Sequence, residues 1–393
     1  MNVLERMEAE GAKEHMEHFI QLQKLPYEDK KLLAVARIQE FIWACRNRGY
    51  NYHVSVGGLD SITLFMFINY APETEQIRKL YPNGRVPGIS ASYLEDSSII
   101  KVHRALGIEC VKPVYDENGK PYLKPRIIQE FGFPVLSKEI ATKIETLQNP
   151  TENNTTVRHA IITGETGEYG GYQKNSRMKL AKKWLDLFGG YENETEGTNY
   201  GTPDFKVSSK CCYYLKEKPC DDWAKHHHSL PFLGLMASEG GRREKSLKLH
   251  GCNYWGKTTI RSCPFAIFSR QDLLELALEM DYLYQNEGVK EQIQLTRAQS
   301  EKPVEMPESI IPTIYGEIAS NLLGEYYTTK AQRTGCSMCG FGIHLEKRPH
   351  RFDLLRERNP RAWEYWMYHC CKDDSGNDFG WSKVLDYIGV DYL

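Results

Sequence analysis

The order of hydrophobic and polar positions predicts a chain that alternates between helices and short strands. Residues 4–22 and 29–47 carry hydrophobic side chains at helical spacing, and an apolar strand is expected over 52–56. A helix is expected to follow it over 60–70. Further strands are expected at 85–94, 109–114, 159–165 and 231–238, and further helices at 97–106 and 178–188.

This alternation predicts the α/β class, with a Rossmann-like parallel sheet that has helices on both faces. The expected segments are N-terminal helices at 1–48, an α/β domain at 49–283 with an insertion near 165–205, an exposed excursion at 284–310 and a Cys-rich C-terminal module at 311–393. Ligands of such sheets bind at the carboxyl ends of the strands, so the loops after the strands are candidate site loops.

Charge and composition narrow the class of protein. The formal net charge of −2 gives no electrostatic reason to expect a nucleic-acid or membrane partner. The first residues lack the apolar run of a secretory signal, and no run of about 18 apolar residues indicates a membrane span. We therefore expect a cytoplasmic protein whose 11 cysteines are reduced, so that clustered cysteines indicate metal or redox chemistry.

The loop "VGGLDS" joins the strand at 52–56 to the helix at 60–70. Gly57 and Gly58 allow backbone N–H groups to approach an anion closely, and the helix that follows presents its positive N-terminal end. Asp60 or Ser61 can cap that helix, and the Ser61 hydroxyl can donate to a phosphate oxygen. The loop is therefore a candidate phosphate site, and an ordinary strand-to-helix turn is the alternative.

Two cysteine motifs form a candidate metal site. Cys211 and Cys212 are adjacent in "SKCCYYLKEKP", and Cys336 and Cys339 form a C-x-x-C pair in "GCSMCGFG". A C-x-x-C turn can direct two thiolates to one ion or cluster, whereas adjacent cysteines normally point in different directions. An iron–sulfur cube accepts four thiolates over a wider spread than a single zinc ion does. A cluster is thus favoured, with zinc on the same four cysteines, or no metal, as alternatives.

The segment "GLMASEGGRREKS" carries a third signal. Arg242 and Arg243 can clamp phosphate or sulfate because a guanidinium fork matches an oxyanion, and Glu239 can orient one of them. A solvated charged loop is the alternative interpretation of this segment.

Taken together, these segments resemble the phosphoadenylyl-sulfate reductase family, which belongs to the PP-loop ATP pyrophosphatases. The family's loop S-G-G-x-D-S corresponds to "VGGLDS", and "FGFPVLSKE" is similar to the family's "GYPVISKE" segment. Its cysteine context C-C-x-x-x-[RK]-x-x-P corresponds to Cys211, Cys212, Lys216 and Pro219. Its loop G-x-x-A-x-E-S-x-x-R is similar to the segment with Gly234, Ala237, Glu239 and Arg243.

The resemblance implies an adenine nucleotide alpha hydrolase-like fold, an adenine nucleotide ligand (ATP, APS or PAPS) and a 4Fe–4S cluster. The cluster ligands would be the four cysteines named above, with the Lys216 ammonium close by to offset thiolate charge. Mg²⁺, a thioredoxin-like electron donor and a homo-oligomer are further expectations of the same kind. The residues expected to contact the nucleotide are Ser55, Gly57, Gly58, Asp60, Ser61, Lys138, Glu239, Arg242 and Arg243.

The reaction stays open at this point. Val56 and Leu59 replace the loop's usual serine and an often cationic residue, which argues against ATP-dependent sulfur transfer. The last residues, "WSKVLDYIGVDYL", hold no cysteine, which argues against sulfonucleotide reduction unless Cys370 or Cys371 is the nucleophile. The alternatives for that pair are a structural or metal-binding role. A non-catalytic, cluster-bearing regulatory protein is therefore the third candidate function.

The remaining cysteines are the weaker candidates. Cys45 and Cys110 stand among apolar neighbours and are expected in the core. For Cys220, Cys252 and Cys263, a place near the metal site and a place in the core are both open.

Overall fold

The computed structural model describes residues 3–81, 84–91, 96–165, 178–296, 304–331, 336 and 338–392. The chain divides into two compact units that alternate along the sequence. The first comprises Met1–Lys112 and Pro219–Gly335, and the second comprises Pro113–Lys218 and Cys336–Leu393. The linear segments expected from the sequence stay a prediction.

The first unit contains a six-stranded, mostly parallel sheet flanked by helices, which confirms the α/β class. At one edge of the sheet, Asn253–Trp255 pairs with Ile260–Ser262 in antiparallel fashion. The strands, in spatial order, are Glu109–Cys110, Gly88–Ser90, Asn51–Ser55, Ser229–Phe232, Ile260–Ser262 and Asn253–Trp255. An antiparallel hairpin of Ile318–Ser320 and Tyr326–Thr328 lies outside this sheet.

The helix that follows the first strand of the sheet is the centre of this unit's core. Helix Leu59–Tyr70 buries almost all of its side chains, among them Phe65 and Phe67, because it is apolar all round. The other helices of the unit are Val3–Gln23, Tyr27–Asn47, Glu75–Arg78, Ser97–Ala105, Lys218–His226 (which begins one residue before the boundary), Gly241–His250, Arg270–Tyr284, Glu287–Leu295 and Ile311–Tyr315, with 3-10 turns at Pro72–Thr74 and Ala237–Glu239.

Two buried lysines connect helix Tyr27–Asn47 to this core. The Lys30 ammonium lies 2.8 Å from a carboxylate oxygen of Asp272, and Lys31 lies 2.9 Å from both Glu73 and Glu279. Each lysine side chain is only 6% exposed. Since a buried ammonium needs ionic partners, these pairs fix helix Tyr27–Asn47 against the helix that begins at Arg270.

The second unit has its own core, built from short elements around Trp381. Strand Val135–Leu136 runs parallel to Gly340–Phe341, and Cys371–Lys372 pairs with Asp378–Phe379 in antiparallel fashion. A Cβ atom on Gly340 would lie 2.3 Å from the Trp381 ring, so this position requires glycine. The helices are Lys124–Phe131, Lys138–Gln148, Thr155–Thr163, Lys182–Phe188, Asn193–Glu196, Lys210–Cys212, Arg351–Arg358, Pro360–Glu364 and Trp381–Ile388; π-helices span Tyr213–Glu217 and Tyr365–His369, and 3-10 turns span Glu152–Asn154, Gly189–Glu192 and Ile343–Leu345.

Several sequence predictions need correction. The strand predicted at 159–165 is wrong, because these residues form the second half of helix Thr155–Thr163 and its C-cap, Gly164, at φ 84°. A short run of β-branched residues is compatible with a strand and with a buried helix. Here the helix is formed, and it buries residues 160–162. Cys45 is buried as predicted, whereas Cys110 is exposed because its strand is the outermost of the sheet.

Other predicted elements are present with shorter bounds. The strands expected at 109–114 and 231–238 are Glu109–Cys110 and Ser229–Phe232, and the helix expected at 178–188 begins at Lys182. Part of the segment expected at 85–94 and part of the insertion lie outside the described residues. Within the described residues, none of the helices has the length and apolar character needed to cross a membrane.

Candidate functional site

The loop after the first strand folds around a serine hydroxyl. Gly58 is extended, at φ −107° and ψ −154°, and the helix begins at Leu59. The Ser61 hydroxyl accepts a hydrogen bond from the Gly57 N–H at 2.8 Å and donates to the Gly58 carbonyl at 3.1 Å. Ser61 therefore holds the two glycines in one conformation. In this state both hydrogen bonds of its hydroxyl are made to the loop backbone.

A tyrosine from later in the chain contacts the same loop. The Leu59 N–H, one of the amides at the start of the helix, donates to the Tyr315 hydroxyl at 2.7 Å. A ring nitrogen of His103 lies 3.0 Å from the Gly57 carbonyl oxygen. The Val56 and Leu59 side chains are 5% and 4% exposed and pack in the core. The two replaced positions thus stabilise the fold with apolar side chains.

Gly234 packs directly on the loop backbone. A Cβ atom at this position would lie 2.8 Å from both the carbonyl carbon of Asp60 and the nitrogen of Ser61. The loop after strand Ser229–Phe232 can therefore approach the phosphate-loop candidate only because position 234 has no side chain. This gives a physical reason for the glycine in the "GLMASEGGRREKS" segment.

A cavity of about 600 Å³ opens at the start of helix Leu59–Tyr70. Two arginines line it, and each is held by a carboxylate: Arg243 lies 2.6 Å from Glu239, and Arg270 lies 3.4 Å from Asp60. The lining consists of Gly58, Leu59, Asp60, Met236, Ser238, Glu239, Arg243, Arg270, Leu274, Tyr315, Tyr326, Tyr327 and Thr328. Helix amides and guanidinium groups are the groups that bind oxyanions.

The predicted nucleotide residues divide between this cavity and other places. Gly58, Asp60, Glu239 and Arg243 line it together, as a shared ligand site requires. The side chain of Arg242 lies outside the described part of the chain. Sequence reasoning missed the other lining side chains, although "SRQD" carries a helix-capping signal that places Arg270 at a helix start. The hairpin tyrosines gave no such signal, since only the tertiary fold brings them here.

The Ser55 side chain is not among the cavity-lining groups. Its hydroxyl lies 3.3 Å from one ring nitrogen of His53, and the other ring nitrogen lies 2.8 Å from the Ser229 hydroxyl. Burial lowers the pKa of His53 to about 4, with a further contribution from His227. His53 is therefore neutral at pH 7, and the half-buried Ser55 belongs to this hydrogen-bonded row.

The four predicted metal-ligand cysteines all lie in the second unit. Cys211 is buried in a short helix that continues as a π-helix, and Cys212 is half-buried. The Cys339 N–H donates to the Cys336 carbonyl at 3.2 Å, which closes the C-x-x-C turn. The strand after this turn pairs with Val135–Leu136 from "FGFPVLSKE", so that segment supports the cysteine turn.

Lysine charges face these cysteines. Burial raises the pKa of Cys211 to about 12, Lys124 opposes this rise, and the charges of the other three cysteines add to it. Burial also raises the pKa of Cys212, whereas Lys138 and Lys216 lower it. The cysteine side chains thus lie within electrostatic reach of one another, and three ammonium groups favour their thiolate forms.

The four cysteines are the donor type that an iron–sulfur cluster uses, and lysine charges lie near them. Four thiolates are the usual ligands of a 4Fe–4S cluster, and the three lysines offset the excess negative charge of such a centre. A single zinc ion needs four ligands at about 2.3 Å from the metal. Within the described residues, no group of three or more His, Cys, Asp or Glu side chains is brought together as a metal site, and this holds for the four cysteines with zinc and with a cluster alike.

Lys138, predicted to reach the nucleotide, lies in the unit that holds the cysteines. Its ammonium forms an ion pair with Glu217 at 2.9 Å. Burial lowers the pKa of Lys138, but the interactions with Cys212 and Glu217 outweigh it and raise that pKa. Its described contacts therefore make it a partner of the cysteines.

Cys370 and Cys371 are both buried, and their sulfur atoms are 3.9 Å apart. The contact with Cys370, together with burial, raises the pKa of Cys371. A reactive thiol needs exposure and a lowered pKa, so these features favour the structural alternative for the pair. Of the other candidates, Cys263 is buried in the core of the first unit, Cys252 is half-buried against that core, and Cys220 is half-buried.

No known protein family, curated protein or solved structure matches this chain. The resemblance to the phosphoadenylyl-sulfate reductases rests on short motifs alone.

Proposed function

We propose that this protein is an enzyme of the sulfonucleotide reductase type, with an adenine nucleotide alpha hydrolase-like fold. It would bind an adenine nucleotide at the loop 55–61 and hold a 4Fe–4S cluster on Cys211, Cys212, Cys336 and Cys339. The observation that carries this proposal is the cavity at the start of helix Leu59–Tyr70, where helix amides and two arginines occur together.

The cavity suits the anionic part of a nucleotide. The helix N-terminus contributes a partial positive charge, and the Arg243 guanidinium is 55% exposed with Glu239 holding it in place. The volume of about 600 Å³ lies in the usual range for a small-molecule pocket. Leu59, Met236 and Leu274 give the cavity an apolar component. These residues bind and orient the ligand, with Arg243 on a phosphate or sulfate group.

The cysteine centre is the second half of the proposal. When bound, a 4Fe–4S cluster would act by electrostatics or as a binding site for sulfur, rather than by long-range electron transfer. Lys124 is 1% exposed and lies over the Trp366 ring at 5.3 Å, so its charge acts in a medium with little screening. Its contribution here is to stabilise thiolate at Cys211. Lys138 and Lys216 do the same for Cys212.

A second candidate is a non-catalytic nucleotide-binding or regulatory protein that carries the same cluster. Two observations favour it. Two loop amides, those of Gly57 and Leu59, already donate to protein hydroxyl groups, and Cys370 and Cys371 are buried. Ligand binding without turnover would follow from both.

The test combines metal analysis with nucleotide binding. The protein is purified without oxygen, and iron and acid-labile sulfide are measured in wild type, Cys336→Ser and the control Cys110→Ser, whose cysteine is exposed in the first unit. We expect about four irons and four sulfides per chain in wild type and in the control, and a loss in Cys336→Ser. Calorimetry then measures binding of adenosine phosphosulfate, ADP and ATP, and released sulfite and pyrophosphate are assayed.

The outcomes separate the candidates. Sulfite release with a thiol reductant supports the reductase, and pyrophosphate release from ATP supports the sulfurtransferase alternative instead. Binding without either product supports the regulatory protein. Zinc in place of iron, or no metal, refutes the cluster, and the absence of any adenine nucleotide binding refutes the nucleotide site.

A further inference from the structure

The candidate phosphate loop carries a negative charge, which disfavours binding of an anionic ligand. Within "VGGLDS", Asp60 is the only ionisable side chain, and it lines the cavity. A carboxylate beside a phosphate raises the electrostatic energy of the complex, because two negative charges repel strongly where water is partly excluded. Helix amides alone compensate this poorly, since two of the loop amides donate to hydroxyl groups of the protein.

Arg270 brings a positive charge to this carboxylate from another element. Its guanidinium lies 3.4 Å from the Asp60 carboxylate, and both residues line the cavity. The Arg270 side chain is 40% exposed, so it is accessible from the cavity. A guanidinium carries five N–H donors in a planar fork, and it can therefore contact a carboxylate and an incoming oxyanion together.

The position of Arg270 in its helix is not explained by helix stability. It is the first residue of helix Arg270–Tyr284, where the helix dipole disfavours a cation. The helix already has a complete capping box, in which the Ser269 and Asp272 side chains satisfy each other's backbone N–H groups. Arg270 therefore adds nothing to the cap, and its described charged partner belongs to the loop.

We propose that Arg270 is a ligand-binding residue that makes the acidic loop receptive to anions and selects phosphate-bearing ligands over neutral ones. This inference rests on the proposed nucleotide site and names the chemistry that the site selects: a ligand with at least one phosphate or sulfate group at the start of helix Leu59–Tyr70. Asp60 orients the guanidinium, and Arg243 provides the second cation of the cavity.

The experiment compares a phosphate-bearing ligand with a neutral one. Calorimetry measures the Kd of ADP, adenosine and inorganic pyrophosphate for wild type, Arg270→Gln, Arg270→Lys and a control, Arg37→Gln. Arg37 is a matched control because it is 38% exposed and lies 3.0 Å from Glu40, away from the cavity lining. We expect Arg270→Gln to weaken ADP and pyrophosphate about tenfold or more, with adenosine changed less than about twofold.

Arg270→Lys retains the charge without the fork, so it is expected to restore part of the affinity, and its Kd should remain salt-dependent. Hydrogen exchange of helix Leu59–Tyr70 confirms that each variant is folded at the site. Unchanged ADP and pyrophosphate affinities in Arg270→Gln overturn the inference and leave the nucleotide site standing. Arg270-dependent binding of pyrophosphate without binding of adenine nucleotides supports the inference and refutes the proposed function. Wild type that binds none of the probes refutes both.

Discussion

Replacement of Gly234 by alanine should loosen the candidate phosphate loop. A Cβ atom there would lie 2.8 Å from two backbone atoms of Asp60 and Ser61. Carbon atoms pack at about 3.5 Å, so the two loops must separate by roughly 0.7 Å. Such overpacking costs about 1–3 kcal/mol, and the lower backbone entropy of unfolded alanine offsets up to about 1 kcal/mol of it. We expect a net local destabilisation of about 1–2 kcal/mol.

Native-state hydrogen exchange of peptides from helix Leu59–Tyr70 measures this effect locally. The predicted loss corresponds to exchange that is about 5- to 30-fold faster. Gly11→Ala is the matched control, because a Cβ atom there meets nothing within 4 Å, and alanine is the better helix former. Equal exchange in Gly234→Ala and wild type would refute the close contact between the two loops, and with it the description of the cavity.

Four other variants test separate parts of the structure. Lys31→Met should lower the free energy of unfolding by about 2 kcal/mol, because it leaves the partly exposed carboxylates of Glu73 and Glu279 without their cation. The control Lys13→Met, which removes an exposed ion pair, should cost under about 0.5 kcal/mol. Equal losses of the two variants in urea denaturation would refute the role given to Lys31. The pKa of His53 is about 4, below its ordinary value, so the unfolded state binds more protons and the free energy of unfolding decreases by about 2 kcal/mol as the pH is lowered from 7 to 5. His53→Asn should remove this part of the pH dependence, and an unchanged pH dependence would contradict the neutral buried ring. Tyr315→Phe removes the hydroxyl that accepts from the Leu59 N–H, which leaves this amide available to the ligand. Calorimetry should therefore show tighter ADP binding, while the free energy of unfolding falls by about 1 kcal/mol. Weaker ADP binding would show instead that the hydroxyl contacts the ligand. Lys124→Met should reduce the iron retained per chain to about half or less, because it removes a cation that favours thiolate, and full iron content would refute that charge role.

The α/β class was predictable because several strands and helices of the first unit have clear periodicity. The strand before "VGGLDS" and the helix after it lie within one residue of their predicted bounds, since an apolar run and a glycine pair leave few alternatives. The segment 159–165 was not predictable, because its β-branched residues suit a strand as well as a buried helix. Tertiary packing of Ile161 and Ile162 decided between the two forms.

The candidate site was predictable only where its residues are close in sequence to a motif. Glu239 and Arg243 follow a strand end, and the structure places both in the cavity with Asp60. Arg270 and Tyr315 reach the loop from 210 and 256 residues away, and periodicity contains no information about such contacts. For Lys138 the motif was misleading. The family resemblance predicted contact with the nucleotide, whereas in the structure the Lys138 side chain interacts with Cys212.

A crystal structure with adenosine phosphosulfate, collected at the iron absorption edge, tests the central claim most directly. The account predicts the phosphate or sulfate group at about 3 Å from the Arg270 guanidinium and close to the backbone of Gly58 and Asp60. It also predicts an anomalous iron signal bonded to Cys211, Cys212, Cys336 and Cys339. A nucleotide bound elsewhere, an empty cavity at saturating ligand, or cysteines without iron would contradict it.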